Sequence, residues 1–329
     1  MKKKVFGLLA ATLAGSTLFL SACSAGDSKI VFKNYWNYNT ESTSNELIEE
    51  TLRYEVSFLS YDSGMNYALD YEGTYETKLV SKSNDTYEFT STLDLTVSFT
   101  VNGQTEEKQD TVKTYVHFYK AGGTDNLRPI SSWKKLTSHT PVFTKSASSP
   151  KDCYQRYDYE FETTYENGQG SCETTRYFYN KITDKYDLGV PQTYTFSASS
   201  SKRSVLDNEQ FPVAFRAMPA GTNTKVQMFN PYLGHSQNYV VKLSGDTKEK
   251  KYEYTLNETA VNETIKYNTA SIIVDGTWSG QPQWAEIASL QDPQMNRNRN
   301  IMLYYCAPLD NNIGAVVYKL KSAKYSKLI

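Results

Sequence analysis

Residues 86–119 read TYEFTSTLDLTVSFTVNGQTEEKQDTVKTYVHFY, and their reading decides the fold. At the centre stands Asn102-Gly103, a dipeptide that supplies the left-handed conformations of a two-residue hairpin turn. Placing the turn there pairs residues whose numbers sum to 205. Leu93 then faces Val112, Phe89 faces Val116 and Tyr87 faces Phe118. The apolar faces of the two arms coincide, as a half-buried hairpin requires. Nearer the turn, Val97 faces Lys108 and Phe99 faces Glu106, which predicts a tip that projects into solvent.

Period two extends outward from this hairpin in both directions. Upstream, Tyr67, Leu69, Tyr71, Gly73, Tyr75, Thr77 and Leu79 alternate with Ala68, Asp70, Glu72, Thr74, Glu76 and Lys78, an aromatic face backed by a charged one. Downstream, Tyr157, Tyr159 and Phe161 alternate with Asp158, Glu160 and Glu162, reach a second turn at Asn167-Gly168 and return as Thr174 to Tyr179. Further strands are expected around 225–229, 238–243, 251–256, 264–274, 283–289, 302–306 and 315–321. The 27 tyrosines and 14 phenylalanines, with abundant threonine, suit a pleated, half-buried surface. Two short helices are expected: one capped by Asn45, with Leu47, Ile48, Thr51 and Leu52 on a face, and one within Leu206 to Met218, where Pro212 limits the start. No strand–helix alternation appears, which argues against parallel α/β folds, including the two-lobed solute-binding proteins of transporters. The predicted fold is all-β: a large curved antiparallel sheet, as a half-barrel or two packed sheets, over residues 44–329, with a candidate sub-boundary at the serine-rich stretch 197–204.

The first residues carry an address. Lys2, Lys3 and Lys4 precede an apolar run from Val5 to Leu20 that is short and rich in small residues, the build of a secretory signal over 1–22. Leu20-Ser21-Ala22-Cys23 closes it and resembles the lipobox of bacterial lipoproteins. That resemblance implies cleavage between Ala22 and Cys23, acylation of Cys23, and an extracytoplasmic protein. It would be held on the outer face of the cell membrane, or on the outer membrane if the organism has one. Residues 23–43 are mostly polar, with a small aromatic knot at Tyr35, Trp36 and Tyr38, and read as a tether. With the three leader lysines removed, 32 basic side chains stand against 36 acidic ones. The near balance offers no footprint for nucleic acid and no basic block for anionic lipid.

Candidate chemistry is sparse. Gly234-His235-Ser236-Gln237-Asn238 lacks the second glycine of a nucleophile elbow and runs into strand-forming Tyr239-Val240-Val241. His117, His139 and His235 have no partner at metal-ligand spacing. Asp158, Glu160 and Glu162 share a strand face, but their far side is a core stripe, so a solvated face accounts for them. No cofactor, metal or catalytic constellation is implied, and the expected protein is not an enzyme. Cys153 and Cys172 flank the Asn167-Gly168 hairpin, whose register sets Cys172 against residues 163–165 rather than against Cys153. A bridge between them would need a different register or a neighbouring strand, which argues against one, and with Cys306 the three thiols left after the anchor cannot all pair within one chain.

Ser204-Val205-Leu206-Asp207, Phe211-Pro212 and Phe215-Arg216-Ala217-Met218-Pro219, with Ile313-Gly314-Ala315 and Tyr318-Lys319-Leu320, resemble the signature of an exported bacterial family known only as a domain of unknown function. The resemblance spans about Ser204 to Leu320 and is most specific at Phe-Arg-Ala-Met-Pro. It implies a curved antiparallel sheet similar to the half-barrels of lipoprotein-sorting carriers, which shelter acyl chains, and supplies no catalytic residues. The long charged N-terminal hairpins depart from that family's compact form. Two ligand classes follow: a hydrophobic or lipid-like ligand on a concave aromatic face, or a surface glycan or adhesion partner stacked on exposed aromatics. Trp278 and Trp284, flanking the polar Ser279-Gly280-Gln281-Pro282 turn, are the ligand-facing candidates.

Overall fold

The computed structural model describes residues 25–35, 48–61, 64–121, 126–180, 185–276, 281–289, 300–309 and 313–327. The first half of the chain forms β1 (Ile48–Ser60), β2 (Ala68–Ser81), β3 (Thr86–Val101), β4 (Gln104–Tyr119), β5 (Pro129–Pro141) and β6 (Tyr154–Glu166). Then come β7 (Gln169–Asn180), β8 (Lys185–Leu188), β9 (Gln192–Ser197), β10 (Ser204–Leu206) and one helix, α1 (Phe211–Ala217). The rest is β11 (Asn223–Asn230), β12 (His235–Leu243), β13 (Lys248–Leu256), β14 (Thr259–Val274), β15 (Gln283–Ala288), β16 (Met302–Pro308) and β17 (Gly314–Lys327).

The hairpin of β3 and β4 has the register its sequence dictates, with Tyr87 opposite Phe118 and Leu93 opposite Val112. Asn102 and Gly103 take φ of 51° and 78°, the left-handed pair of the expected turn. The tip departs from expectation. Val97, Phe99 and Val101 are fully buried, because Ala147 and Cys153 of the loop after β5 pack with them and Tyr154, at the start of β6, lies on Phe99 at 4.9 Å. The charged partners on β4 told nothing of that cover, which comes from a segment some fifty residues on. The second hairpin, β6–β7, also keeps its register, with Cys172 opposite Thr163, and Cys153, Cys172 and Cys306 are free, buried thiols.

The region read as the first helix is strand. Residues 48–52 begin β1, which pairs with β17 on one side and β2 on the other. A five-residue apolar spacing does not distinguish a helix face from a strand with partners on both edges; Asn45 and Leu47 lie outside the described residues. The second helix is present. Asp207 accepts from the Glu209 amide at 2.8 Å to start a 3-10 turn over Asn208–Gln210, and α1 follows with Pro212 in its first turn.

All seventeen strands among the described residues join one sheet. Its backbone ladder runs from β7 through β6, β5, β4, β3, β2 and β1 to β17, then through β16, β15, β14 and β12 to β11, with β8 and β9 pairing on β7. Within it, β13 pairs with the first half of β14 and runs parallel to β17 at Thr255–Leu256. The strands β13 to β17 thus close into a five-stranded ring. The outer ends of the ladder approach each other through side chains. Phe196 of β9 stacks on Phe229 of β11 at 4.0 Å, and Gly170 of β7 is glycine because a Cβ there would sit 2.1 Å from the Phe196 ring.

The concave face is filled by the chain itself. Phe211, Val213, Ala214, Phe215, Ala217 and Met218 pack in one cluster with Leu52 and Tyr54 of β1, Phe89 of β3, Phe118 of β4 and Ala270 of β14. Residues 26–34, expected within a polar tether, form a strap docked on this plug. Ile30 and Phe32 are buried, the Phe32 amide donates to Asn126 Oδ1 at 2.9 Å, and the Lys33 amide donates to the Ala217 carbonyl at 2.9 Å. The alternation Ile30, Phe32 against Lys29, Val31, Lys33 is the reason: two large apolar side chains suffice to hold an otherwise polar strip.

Candidate functional site

Three neighbouring strands frame a cleft of about 310 Å³ lined by Glu107, Lys108, Gln109, His139, Tyr154 and Arg156. The first three come from β4. The β5–β6 register sets His139 beside Arg156 and Pro141 beside Tyr154. Beneath the cleft Asp110 is buried and takes up four contacts: the Ser138 hydroxyl at 3.1 Å, the His139 amide at 2.8 and 2.9 Å to its two oxygens, and His139 Nδ1 at 2.6 Å. A carboxylate only accepts, which assigns the proton to Nδ1 and leaves Nε2 as the ring's second hydrogen-bonding atom. The imidazole is fixed further by the edge-on Tyr154 ring at 5.3 Å.

Each cation around the cleft has its own carboxylate. Arg156 holds Asp158 with Nε at 2.9 Å and Nη2 at 3.2 Å, and Asp158 also accepts from Thr137 at 2.7 Å. Lys108 lies 2.5 Å from Glu106 and 5.6 Å over the Tyr154 ring. Burial opposes the Lys108 charge, but Glu106 and the Tyr154 hydroxyl together outweigh it and raise the pKa above the usual lysine value. Asp110, Glu106, Glu107 and Asp158 thus surround two cations and a histidine. The cleft offers planar hydrogen-bonding groups without an excess of positive charge, and its lining contains no serine, threonine or cysteine. It can bind and orient a polar molecule, and its size is at the lower end of small-molecule sites.

The residues singled out in the sequence lie elsewhere. Ala22, Cys23 and Trp278 are outside the described residues. Trp284 is on β15, half-buried with its ring 5.1 Å from that of Tyr304, in a cluster with Tyr61 and Cys306. Beside it the Lys250 ammonium sits 5.1 Å over Tyr304 and 2.9 Å from Glu286, which also accepts from Tyr252 at 2.7 Å. Of the three histidines, His117 contacts Thr86 Oγ1 at 2.9 Å and His235 is exposed; neither joins His139. Among the described residues no three His, Cys, Asp or Glu side chains form a group able to hold a metal. On β6, Asp158 and Glu160 are taken up by Arg156 and by the Trp133 indole, which donates to Glu160 at 2.9 Å.

The cleft was not read from sequence because β5 does not look like a strand. Its inward positions include Ser132, Lys134 and Ser138 in place of an apolar stripe. Once β5 is paired with β4, Thr111 opposite Thr137 brings Asp110 to Ser138 and His139, so a register test of 129–141 against 104–119 was the available signal.

The comparisons with known proteins add a fold likeness and nothing on the site. No protein-family model matches the chain, and no curated protein matches it. Among solved structures it is similar to a β-barrel-like protein of the domain of unknown function DUF1849 from Brucella abortus, at 9% identity and a TM-score of 0.48, covering 87% of this chain and 100% of that one.

Proposed function

We propose that this protein is a lipid-anchored, extracytoplasmic binding module without catalytic activity, and that its ligand is a neutral, hydroxyl-rich molecule of the sugar class. The observation that carries the ligand class is the β4–β5–β6 cleft, where Glu107, Gln109, His139 and Arg156 present paired donors and acceptors beside the Tyr154 side chain. Vicinal hydroxyls match such groups, while a polyanion meets four carboxylates against two cations and gains nothing. The anchor rests on Leu20-Ser21-Ala22-Cys23. The alternative of a sheltered acyl chain loses support because α1 and the strap already fill the concave face.

A glycan array of neutral oligosaccharides probed with the full chain, followed by calorimetry on the best ligand, tests the reading. Arg156→Ala and Gln109→Ala should each weaken binding about tenfold or more, since a hydrogen bond to a charged or planar group contributes about 1–3 kcal/mol. An array with no neutral glycan bound, or binding indifferent to both substitutions, would sink it.

A further inference from the structure

We propose that the strap of residues 26–34 is a membrane-facing surface, so that the domain lies against anionic lipid headgroups in one orientation instead of swinging on a tether. The inference rests on the lipid anchor at Cys23 and adds a contact that the anchor alone does not imply.

The first argument is reach. Gly26 already bridges to Thr224 of β11, its carbonyl accepting from Thr224 Oγ1 at 2.7 Å and from the Lys225 amide at 3.3 Å. Only Ser24 and Ala25 lie between it and Cys23, and a fully extended chain spans at most about 3.6 Å per residue, or about 11 Å over the three steps. A headgroup layer is itself on the order of 5–8 Å thick on each side of a bilayer. Lipid on Cys23 therefore leaves the strap almost no room to stand away from the surface.

The second argument is rigidity. Asp27 is held by Arg203 at 2.7 and 2.9 Å, and the Ser28 amide donates to Thr224 Oγ1 at 3.2 Å. The Ile30 amide donates to Ser204 Oγ at 3.0 Å. Asn34 exchanges two bonds with the Ala121 backbone at 2.9 and 3.0 Å. A strap held at Gly26, Asp27, Ser28, Ile30, Phe32, Lys33 and Asn34 transmits the position of the anchor to the whole domain.

The third argument is the chemistry left outside. With Ile30 and Phe32 turned inward, the exposed side chains beyond Asp27, which is paired with Arg203, and Ser28 are Lys29, Val31 and Lys33, and Val31 is 60% exposed. Neither lysine forms a salt bridge among the described residues, whereas most other lysines of the sheet do. The sequence holds no basic block, but the fold sets an apolar side chain between two unpaired cations, with Lys202 of the neighbouring loop near Asp27, and beside a lipid anchor so small a basic patch suits the boundary of an anionic bilayer.

The test is a depth measurement on the acylated full chain. Val31→Cys gives a labelling site, since Cys153, Cys172 and Cys306 are buried and Cys23 carries the acyl thioether. In vesicles containing phosphatidylglycerol, an environment-sensitive label at position 31 should be quenched by headgroup-labelled lipid. Adding Lys29→Glu and Lys33→Glu should reduce that quenching severalfold without releasing the protein from the vesicles. An acylated, vesicle-bound protein whose label stays in water overturns the orientation and leaves the anchor standing. A membrane-purified chain without acyl mass on Cys23 overturns the anchor and, with it, this surface.

Discussion

Arg216 anchors the Phe215-Arg216-Ala217-Met218-Pro219 stretch to the sheet. Its guanidinium is buried in the plug, grips Glu50 of β1 with two bonds of 2.6 and 2.7 Å, and donates to the Asn300 carbonyl at 3.0 Å. Burial works against its charge, but Glu50 more than compensates and holds the pKa above the ordinary arginine value. Removing one partner of such a pair strands the other without solvent, so Arg216→Ala should cost about 3–5 kcal/mol in chemical denaturation. A loss below 1 kcal/mol would mean the site relaxes to admit water. Asp207 makes a different forecast. Burial raises its pKa above 3.8, partly offset by the Tyr165 hydroxyl, which donates to it at 2.6 Å. A raised folded pKa means the folded state binds the proton more tightly, so the stability it lends is complete below the unfolded pKa and is lost as pH rises through the folded one. Wild type should therefore lose stability relative to Asp207→Asn as pH climbs from below 3.8 towards neutrality; parallel stability curves would contradict this.

At the scale of elements, hairpins were legible and isolated strands were not. Asn102-Gly103 sets the β3–β4 register by itself because turn and apolar faces agree within thirty-four consecutive residues. Gly103 holds φ of 78° with open space where a Cβ would be, so Gly103→Ala should cost about 1–2 kcal/mol through backbone strain alone, with far-ultraviolet circular dichroism unchanged. A neutral substitution would show that the turn can change type without moving the strands. β1 had no such local partner. Its strand character comes from β17, where Ile48 meets Lys327, and from β2, so neighbours on both edges overrode a helical spacing. β5 stayed hidden because its buried Lys134 is neutralised by Glu209 at 2.9 Å, a contact with the segment before α1 that no periodicity announces.

At the scale of the whole molecule, the sheet is curled around a plug made of its own chain, and the strap completes that plug. Phe32 is fully buried there beside the helix, so Phe32→Ala should cost about 3–5 kcal/mol by denaturant titration, far more than a residue in a loose polar tether could. A cost near zero would return residues 26–34 to the status of a tether.

The sequence by itself determined the all-β class, the β3–β4 register, the turn of the β6–β7 hairpin and the helix after Asp207. Each of these depends on residues close along the chain, where turn chemistry and period two act directly. Only the tertiary structure decided that β1 is a strand, that β13 closes a five-stranded ring with β17, that the concave face is occupied, and that Asp110, His139, Tyr154 and Arg156 meet. Those features join segments tens to hundreds of residues apart, and pairing at such separations is selected by the free energy of the whole packed sheet, to which no local stretch of sequence gives access.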